Sequence, residues 1–396
     1  MLGQLNLDFE AMRTCKKARA EATSVVSSDR LSSLPPEIKG DILSRLNVEE
    51  AVRTSTLLST WRDAWGNMPE ISLREENFTR TKFVTLVDMV LLLHKGTIEE
   101  FDISGNKTYH DEFGRWMLML SRRSPRSVII KLNSGPRYRI PSYLFSIGSL
   151  ESLDLQNCII SLPRVFQGFK SLTDLNLENF SSTDMDIQTL ISSCPVLTDL
   201  ILTSVEGICC LNIQAPKLEF LNVEGEFEDI KLDAPNLEVA IFSLDHKAKA
   251  YQSYLTKGCI ITKFPVMFHR LENIYLGICI WDQRQISATC SLFQNAPNLK
   301  MLELWSYPRI TWEQYQDQAS IQELTREMQM DHLVTANVKH FGGLNYEVDF
   351  VAKLLSWAPV LEEVKLEWKG ETDRSMVLTK LLALPRVSPG AKIIVT

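Results

Sequence analysis

Leu150-Glu151-Ser152-Leu153-Asp154-Leu155-Gln156-Asn157-Cys158 is the stretch on which the fold turns. Apolar residues fill its first, fourth and sixth places. The last two alternate, so both point to one side of a short strand. The frame returns as Leu172-x-x-Leu175-x-Leu177, Leu197-x-x-Leu200-x-Leu202 and Leu218-x-x-Leu221-x-Val223, at offsets of 22, 25 and 21 residues. Later copies are Leu271-x-x-Ile274-x-Leu276, Leu299-x-x-Leu302-x-Leu304 and Leu361-x-x-Val364-x-Leu366, with a weak copy at Leu237, Ala240 and Phe242. One such strand cannot bury its apolar side alone, whereas stacked copies share a continuous core.

A frame of this kind at a period of about 20–29 residues is the leucine-rich-repeat signature. It predicts an α/β solenoid: a curved parallel sheet with helices or irregular segments on the convex face. Punctuation reinforces the register. Cys194-Pro195, Ala215-Pro216, Ala234-Pro235, Ala296-Pro297 and Ala358-Pro359 each precede an opening leucine, and proline there ends one segment and starts an extended one. Cys158 and Cys279 stand eight residues after an opening leucine, the Asn/Cys place of the consensus. Both are expected to be structural.

Upstream, residues 78–147 already alternate between helix and strand. Phe83, Leu86, Val87, Val90, Leu91 and Leu93 read as an amphipathic helix, and Ile98, Phe101 and Ile103 as a strand. Trp116 to Leu120 suggest a second helix, and Ile130 and Leu132 a second strand. Further upstream, residues 29–70 read as compact helices. Pro35 and Pro36 open the first, and Ile38, Ile42, Leu43 and Leu46 follow at helical spacing. Asn47 with Glu50 fits a capping box for a second helix carrying Val52, Leu57 and Leu58, and Trp61 and Trp65 follow. About 42 residues cannot enclose two tryptophans and this many aliphatics, because domains near that size need outside help. The surplus surface calls for a partner or for the rest of the chain. Residues 1–28 read as a polar, basic tail.

Composition narrows the function. The chain has 396 residues, 45% hydrophobic and 23% charged, with a net charge of −7. An acidic balance argues against a nucleic-acid footprint. No apolar run approaches the roughly 20 residues of a membrane span. The eight cysteines form no C-x-x-C pair, and the histidines show no metal-ligand spacing to them. No nucleophile elbow, zinc-protease helix, P-loop or dinucleotide loop is present. Asp331-His332 and His110-Asp111 are isolated neighbours without catalytic geometry. The chain therefore reads as an intracellular, nuclear or cytoplasmic, non-enzymatic binding protein with no cofactor and no metal.

Three motifs in order carry a family resemblance. Asp29-Arg30-Leu31-Ser32-Ser33-Leu34-Pro35-Pro36-Glu37-Ile38, Asp41 to Leu46, Glu50 to Ser55, and Trp61-Arg62 with Trp65 resemble the plant F-box. The repeats from Leu150 look like those of the same family. Ala358 to Val364, with Leu384-Pro385-Arg386-Val387-Ser388-Pro389, resembles the FBD segment that ends many members. The chain thus resembles the F-box/FBD/LRR-repeat proteins. The implied layout is a tail (1–28), an F-box (29–73), a solenoid (74–345) and an FBD-like segment completing or capping it (346–396).

The resemblance implies docking on a Skp-family adaptor, and through it on a cullin, in an SCF-type ubiquitin ligase. The adaptor-contacting positions carry over to Leu34, Pro35, Ile38, Ile42, Leu43, Leu46, Val52 and Trp61. Asn47 replaces a frequent proline, and Leu58-Ser59-Thr60 replaces a basic run, which should weaken contacts to an acidic adaptor. The alternative is a non-ligase scaffold that holds the adaptor while the repeats assemble another complex. In either case the exposed strand positions should face the protein target, and they include Asp154, Asp174, Asn176, Asp199, Asn222, Glu224, Tyr275, Glu303 and Trp305. Acidic residues dominate there, so the expected partner presents a basic or polar patch; a merely solvated acidic face is the other reading. Trp305, Tyr307 and Trp312 are candidate aromatic anchors or core residues.

Overall fold

The computed structural model describes residues 33–43, 45–46, 50–51, 61, 64–76, 78–225, 227–243, 266–281, 283–306 and 328–396. The tail, Val52, Tyr307 and Trp312 lie outside them. Thirteen strands among the described residues form one sheet. They are β1 (Glu70–Arg74), β2 (Glu100–Gly105), β3 (Ser127–Leu132), β4 (Ser152–Gln156), β5 (Asp174–Glu178), β6 (Asp199–Val205) and β7 (Phe220–Gly225). β8 (Val239–Ser243), β9 (Asn273–Ile278), β10 (Met301–Ser306), β11 (Thr335–Phe341), β12 (Glu363–Trp368) and β13 (Lys392–Val395) complete it. Each strand pairs in parallel with the next in sequence, so chain order is spatial order.

Seven described helices accompany the sheet. They are α1 (Pro36–Leu43), α2 (Arg80–Leu93), α3 (His110–Ser121), α4 (Asp184–Ser192), α5 (Gln283–Gln294), α6 (Asn345–Trp357) and α7 (Arg374–Leu382). α2 through α7 occupy connections between strands and cover one side of the sheet. Where no helix is used, a short parallel pair serves, Cys210–Gln214 with Asp229–Asp233. Helices need roughly 10 Å of width while neighbouring strands sit about 4.8 Å apart, so the series curves away from its helical side. The result is the α/β leucine-rich-repeat solenoid expected from the sequence.

The apolar frame fills the core. Leu150, Leu153, Leu155, Leu172, Leu175, Leu177, Leu200 and Leu202 are all at most 1% exposed. The five prolines act as one device. The amide of each opening leucine donates to the carbonyl of the residue before the proline: Leu197 to Cys194, Leu218 to Ala215, Leu237 to Ala234, Leu299 to Ala296 and Leu361 to Ala358, at 3.1–3.3 Å. Proline is therefore the second residue of a β-turn, where its fixed φ suits the chain.

Leaving each strand is harder, because the backbone must turn sharply around buried neighbours. Asn157 and Asn179 take left-handed φ of 58° and 49° at equivalent places in β4 and β5 repeats. Asparagine tolerates that region better than most residues. Their side chains form a ladder: Asn157 Nδ2 donates to the Leu132 carbonyl at 3.0 Å, and Asn179 Nδ2 donates to Asn157 Oδ1 at 3.1 Å. Arg137 closes it by donating to Asn179 Oδ1 at 3.1 Å. Cys158, next in line, is buried, and burial pushes its thiol up to about 12. Cys279 is also buried.

The ends of the sheet bear on the layout. β1 begins at Glu70, so the sheet starts within the segment assigned to the F-box through 73. At the other end β12 and β13 are the sheet's last strands, so the FBD-like segment belongs to the same layer.

Candidate binding surfaces

The first surface is α1 and its surroundings. α1 runs from Pro36, where a missing amide costs least. Ile38 and Ile42 are one helical turn apart and therefore share a face. They are 44% and 38% exposed, and Leu46 just beyond is 39% exposed. Pro35 is exposed and Leu34 is half-buried. Leu43 turns the other way and is buried with Ala51, Trp61, Ala64 and Met68 in a small cluster. Of the expected adaptor positions, then, Ile38, Ile42, Leu46 and Pro35 lie on the surface, while Leu43 and Trp61 support it from beneath. The physical reason is angular: at about 100° per residue, position 43 falls well off the 38/42 line.

This cluster is joined to the solenoid. Trp65 packs against both cores. The Gly66 carbonyl accepts from the amides of Lys95 and Gly96 at 2.7 and 2.9 Å. His94 is buried, with Nε2 2.9 Å from the Met68 carbonyl, and burial lowers its pKa. A Cβ at Gly40 would lie 2.5 Å from the Asn67 carbonyl oxygen, so α1 sits too close for any side chain there.

The second surface is the open side of the sheet. In-register pairing sets the middle residue of every strand in one row: Ser72, Asp102, Ile129, Asp154, Asn176, Ile201, Asn222, Ile241, Tyr275, Glu303, Asn337, Lys365 and Ile394. All nine expected target residues lie on this side. They do not form one patch. Asp154, Asp174, Asn176 and Asp199 gather on β4–β6, whereas Tyr275, Glu303 and Trp305 gather on β9 and β10. Tyr275 and Trp305 stack with centroids 6.3 Å apart. Lys339 lies 5.1 Å above the Trp305 ring and pairs with Glu303 at 2.7 Å.

Between those groups lies an apolar stretch that the single copies do not reveal: Ile201, Phe220, Val239 and Ile241, all half-buried. Each occupies a variable place of its own copy and stands out only when the copies are aligned across strands. At the acidic end Lys131 Nζ meets Asp154 Oδ2 at 2.9 Å, which raises the Lys131 pKa. A depression of about 300 Å³ is lined there by Asp154, Asp174, Asn176, Asp199, Ile201 and Phe220, among others. On β2, beside Asp102, Glu100 has its pKa raised by burial and by the neighbouring Glu70 and Asp102 carboxylates. Among the described residues no group of three or more metal-ligating side chains is present, and no helix is long and apolar enough to cross a membrane.

A leucine-rich-repeat solenoid with an attached helical module is the class this architecture defines. Comparison with known proteins points the same way. Residues 114–256 match the model "FBD-associated F-box protein At5g56370, LRR repeats". The chain is 29% identical over 93% of its length to F-box/FBD/LRR-repeat protein At1g13570 of Arabidopsis thaliana, covering 98% of that protein. It is 26% identical to F-box/FBD/LRR-repeat protein At5g56420 of the same plant, over 72% of this chain and 81% of that one. It is 24% identical to F-box/LRR-repeat protein 13, also of Arabidopsis thaliana, over 96% and 98% of the two chains. Over nearly its whole length the chain is thus similar to plant proteins named F-box/FBD/LRR-repeat proteins.

Proposed function

We propose that the chain is the substrate-recognition subunit of an SCF-type ubiquitin ligase, docking on a Skp-family adaptor through residues 34–61 and holding a protein target on the open side of the sheet. The observation that carries the reading is the exposed apolar face of α1. Ile38, Ile42 and Leu46 remain at the surface although the module has a core of its own. Exposed aliphatics on one helical turn next to a rigid solenoid are what an adaptor groove would take up. Similarity to proteins named F-box/FBD/LRR-repeat proteins supports the same assignment. The chain then contributes no catalytic group; it raises the local concentration of target lysines near a conjugating enzyme, which is a proximity effect.

Co-purification from plant cells tests this. Wild-type chain should recover adaptor and cullin together, and Ile38→Glu/Ile42→Glu should recover neither. Adaptor without cullin would replace the ligase by the scaffold reading. Undiminished adaptor recovery by the double variant would sink the docking assignment.

A further inference from the structure

The depression on β4–β6 is lined by acceptors and has few donors of its own. Oδ1 of Asp154 and Oδ1 of Asn176 are buried without any hydrogen-bond partner. Asp174 and Asp199 are register neighbours on adjacent strands at its rim. The nearby cation on this side, Lys131, is engaged with the other oxygen of Asp154. Buried acceptors left unpartnered cost free energy, so such a site favours an incoming donor. Phe220 and Ile201 form an apolar wall beside these oxygens. That combination fits a guanidinium, whose planar fork carries five donors and packs well on an aromatic face. An ammonium is compact and strongly hydrated, and would reach fewer of the acceptors.

Apolar side chains continue from that wall toward β9, whereas on the other side Ile129 of β3 lines the depression alone before acidic residues follow. Ile241 of β8 stands three strand spacings from Asn176 of β5, and Tyr275 of β9 stands four. At about 4.8 Å per spacing these are roughly 14 and 19 Å. An extended segment advances about 3.3 Å per residue, so those distances correspond to about four to six residues. Toward β1 the same row turns acidic, with Asp102 beside Glu100. Charge and apolarity thus give the surface a direction.

We propose that the open face of the sheet binds an extended target segment that crosses the strands, its arginine in the depression of Asp154, Asp174, Asn176 and Asp199 and a bulky apolar residue four to six positions away on Ile241 and Tyr275. The assignment rests on the target-receptor reading above and specifies the chemistry that receptor selects.

The test is selection of a phage-displayed random dodecapeptide library on the immobilised full chain. Enrichment of arginine paired at that separation with an aromatic or aliphatic residue is the expected result. An enriched peptide, labelled for fluorescence anisotropy, should bind Asp154→Asn about ten-fold more weakly, and its Arg→Lys version should also bind more weakly. Asp174→Lys/Asp199→Lys should abolish the enrichment; Asp174 is exposed and Asp199 half-buried, and Asp154→Asn is isosteric, so a folded comparison remains even if the double variant misfolds. Peptides lacking a basic residue, equal enrichment on the double variant, or no enrichment over bare matrix would each overturn the proposal. Adaptor capture on the same preparations reads the ligase assignment separately, since it depends on Ile38 and Ile42 and not on the open face.

Discussion

Replacing Asn157 separates the two things that residue does. Its side chain makes two bonds, donating to the Leu132 carbonyl at 3.0 Å and accepting from Asn179 at 3.1 Å, and it is 4% exposed. Its backbone holds a left-handed φ of 58°. Asn157→Gly keeps the backbone and removes both bonds. A buried carbonyl left unpartnered costs about 1–3 kcal/mol, and the Asn179 amide, which is half-buried, adds about 0.5–1.5 kcal/mol. The expected loss is therefore about 2–4 kcal/mol. Asn157→Ala loses the same bonds and also forces a Cβ into the left-handed region without asparagine's local compensation, so it should lie roughly 1 kcal/mol below the glycine variant. Urea unfolding followed by far-UV circular dichroism measures both, with amide exchange at residues 157–160 as a local readout. A glycine variant within about 0.5 kcal/mol of wild type would show that the ladder contributes nothing. An alanine variant as stable as the glycine one would refute the backbone argument.

Other outcomes follow from features already described. Ile42→Glu alone should leave unfolding within about 0.5 kcal/mol, because the side chain is 38% exposed, while adaptor recovery falls; a large stability loss would mean the face is structural. Leu200→Ala, at 0% exposure, should cost about 2–5 kcal/mol in the same urea experiment. Glu100 has a raised carboxyl pKa in the folded chain, so its ionised form is disfavoured there and the folded state binds a proton more readily than the unfolded one. Glu100→Gln should therefore stabilise at neutral pH, with the gain shrinking as pH falls through the folded and then the unfolded carboxyl value. Brief iodoacetamide treatment with mass-spectrometric mapping should label the exposed Cys209 and Cys210. It should spare Cys158, Cys194 and Cys290, whose thiols burial raises to about 12, 11 and 11.

The repeats were legible in the sequence wherever leucine fills the frame. Strands β2 and β11 use the same frame with other residues, Ile98-Phe101-Ile103 and Leu333-Ala336-Val338, all buried to at least 98%. The first of these was readable as a strand; the second was not, because alanine and valine carry too little contrast against their neighbours. The docking face was half legible. Helical spacing gathers Ile38, Ile42 and Leu43 into one apolar run, yet only the angle about the axis says which of them faces inward. The open face was least legible. A lone isoleucine at position 201 or 241 is ordinary, and its meaning comes from a neighbour some 20 or more residues away that register brings alongside.

That register has a consequence for comparing relatives. Successive residues of the outer row, from Glu70 through Glu100, Ser127 and Ser152 to Phe220, Val239 and Asn273, are separated by as few as 19 residues (Phe220 to Val239) and as many as 34 (Val239 to Asn273). Each separation nevertheless corresponds to one step across the sheet. The molecule works as a ruler whose graduations are strands, with slack tape stored behind it. Length changes in the connections alter the tape and leave the graduations in place. Comparison with similar proteins should accordingly be indexed by strand number, and a linear alignment that spreads its gaps through the strands will misplace the positions of the open face.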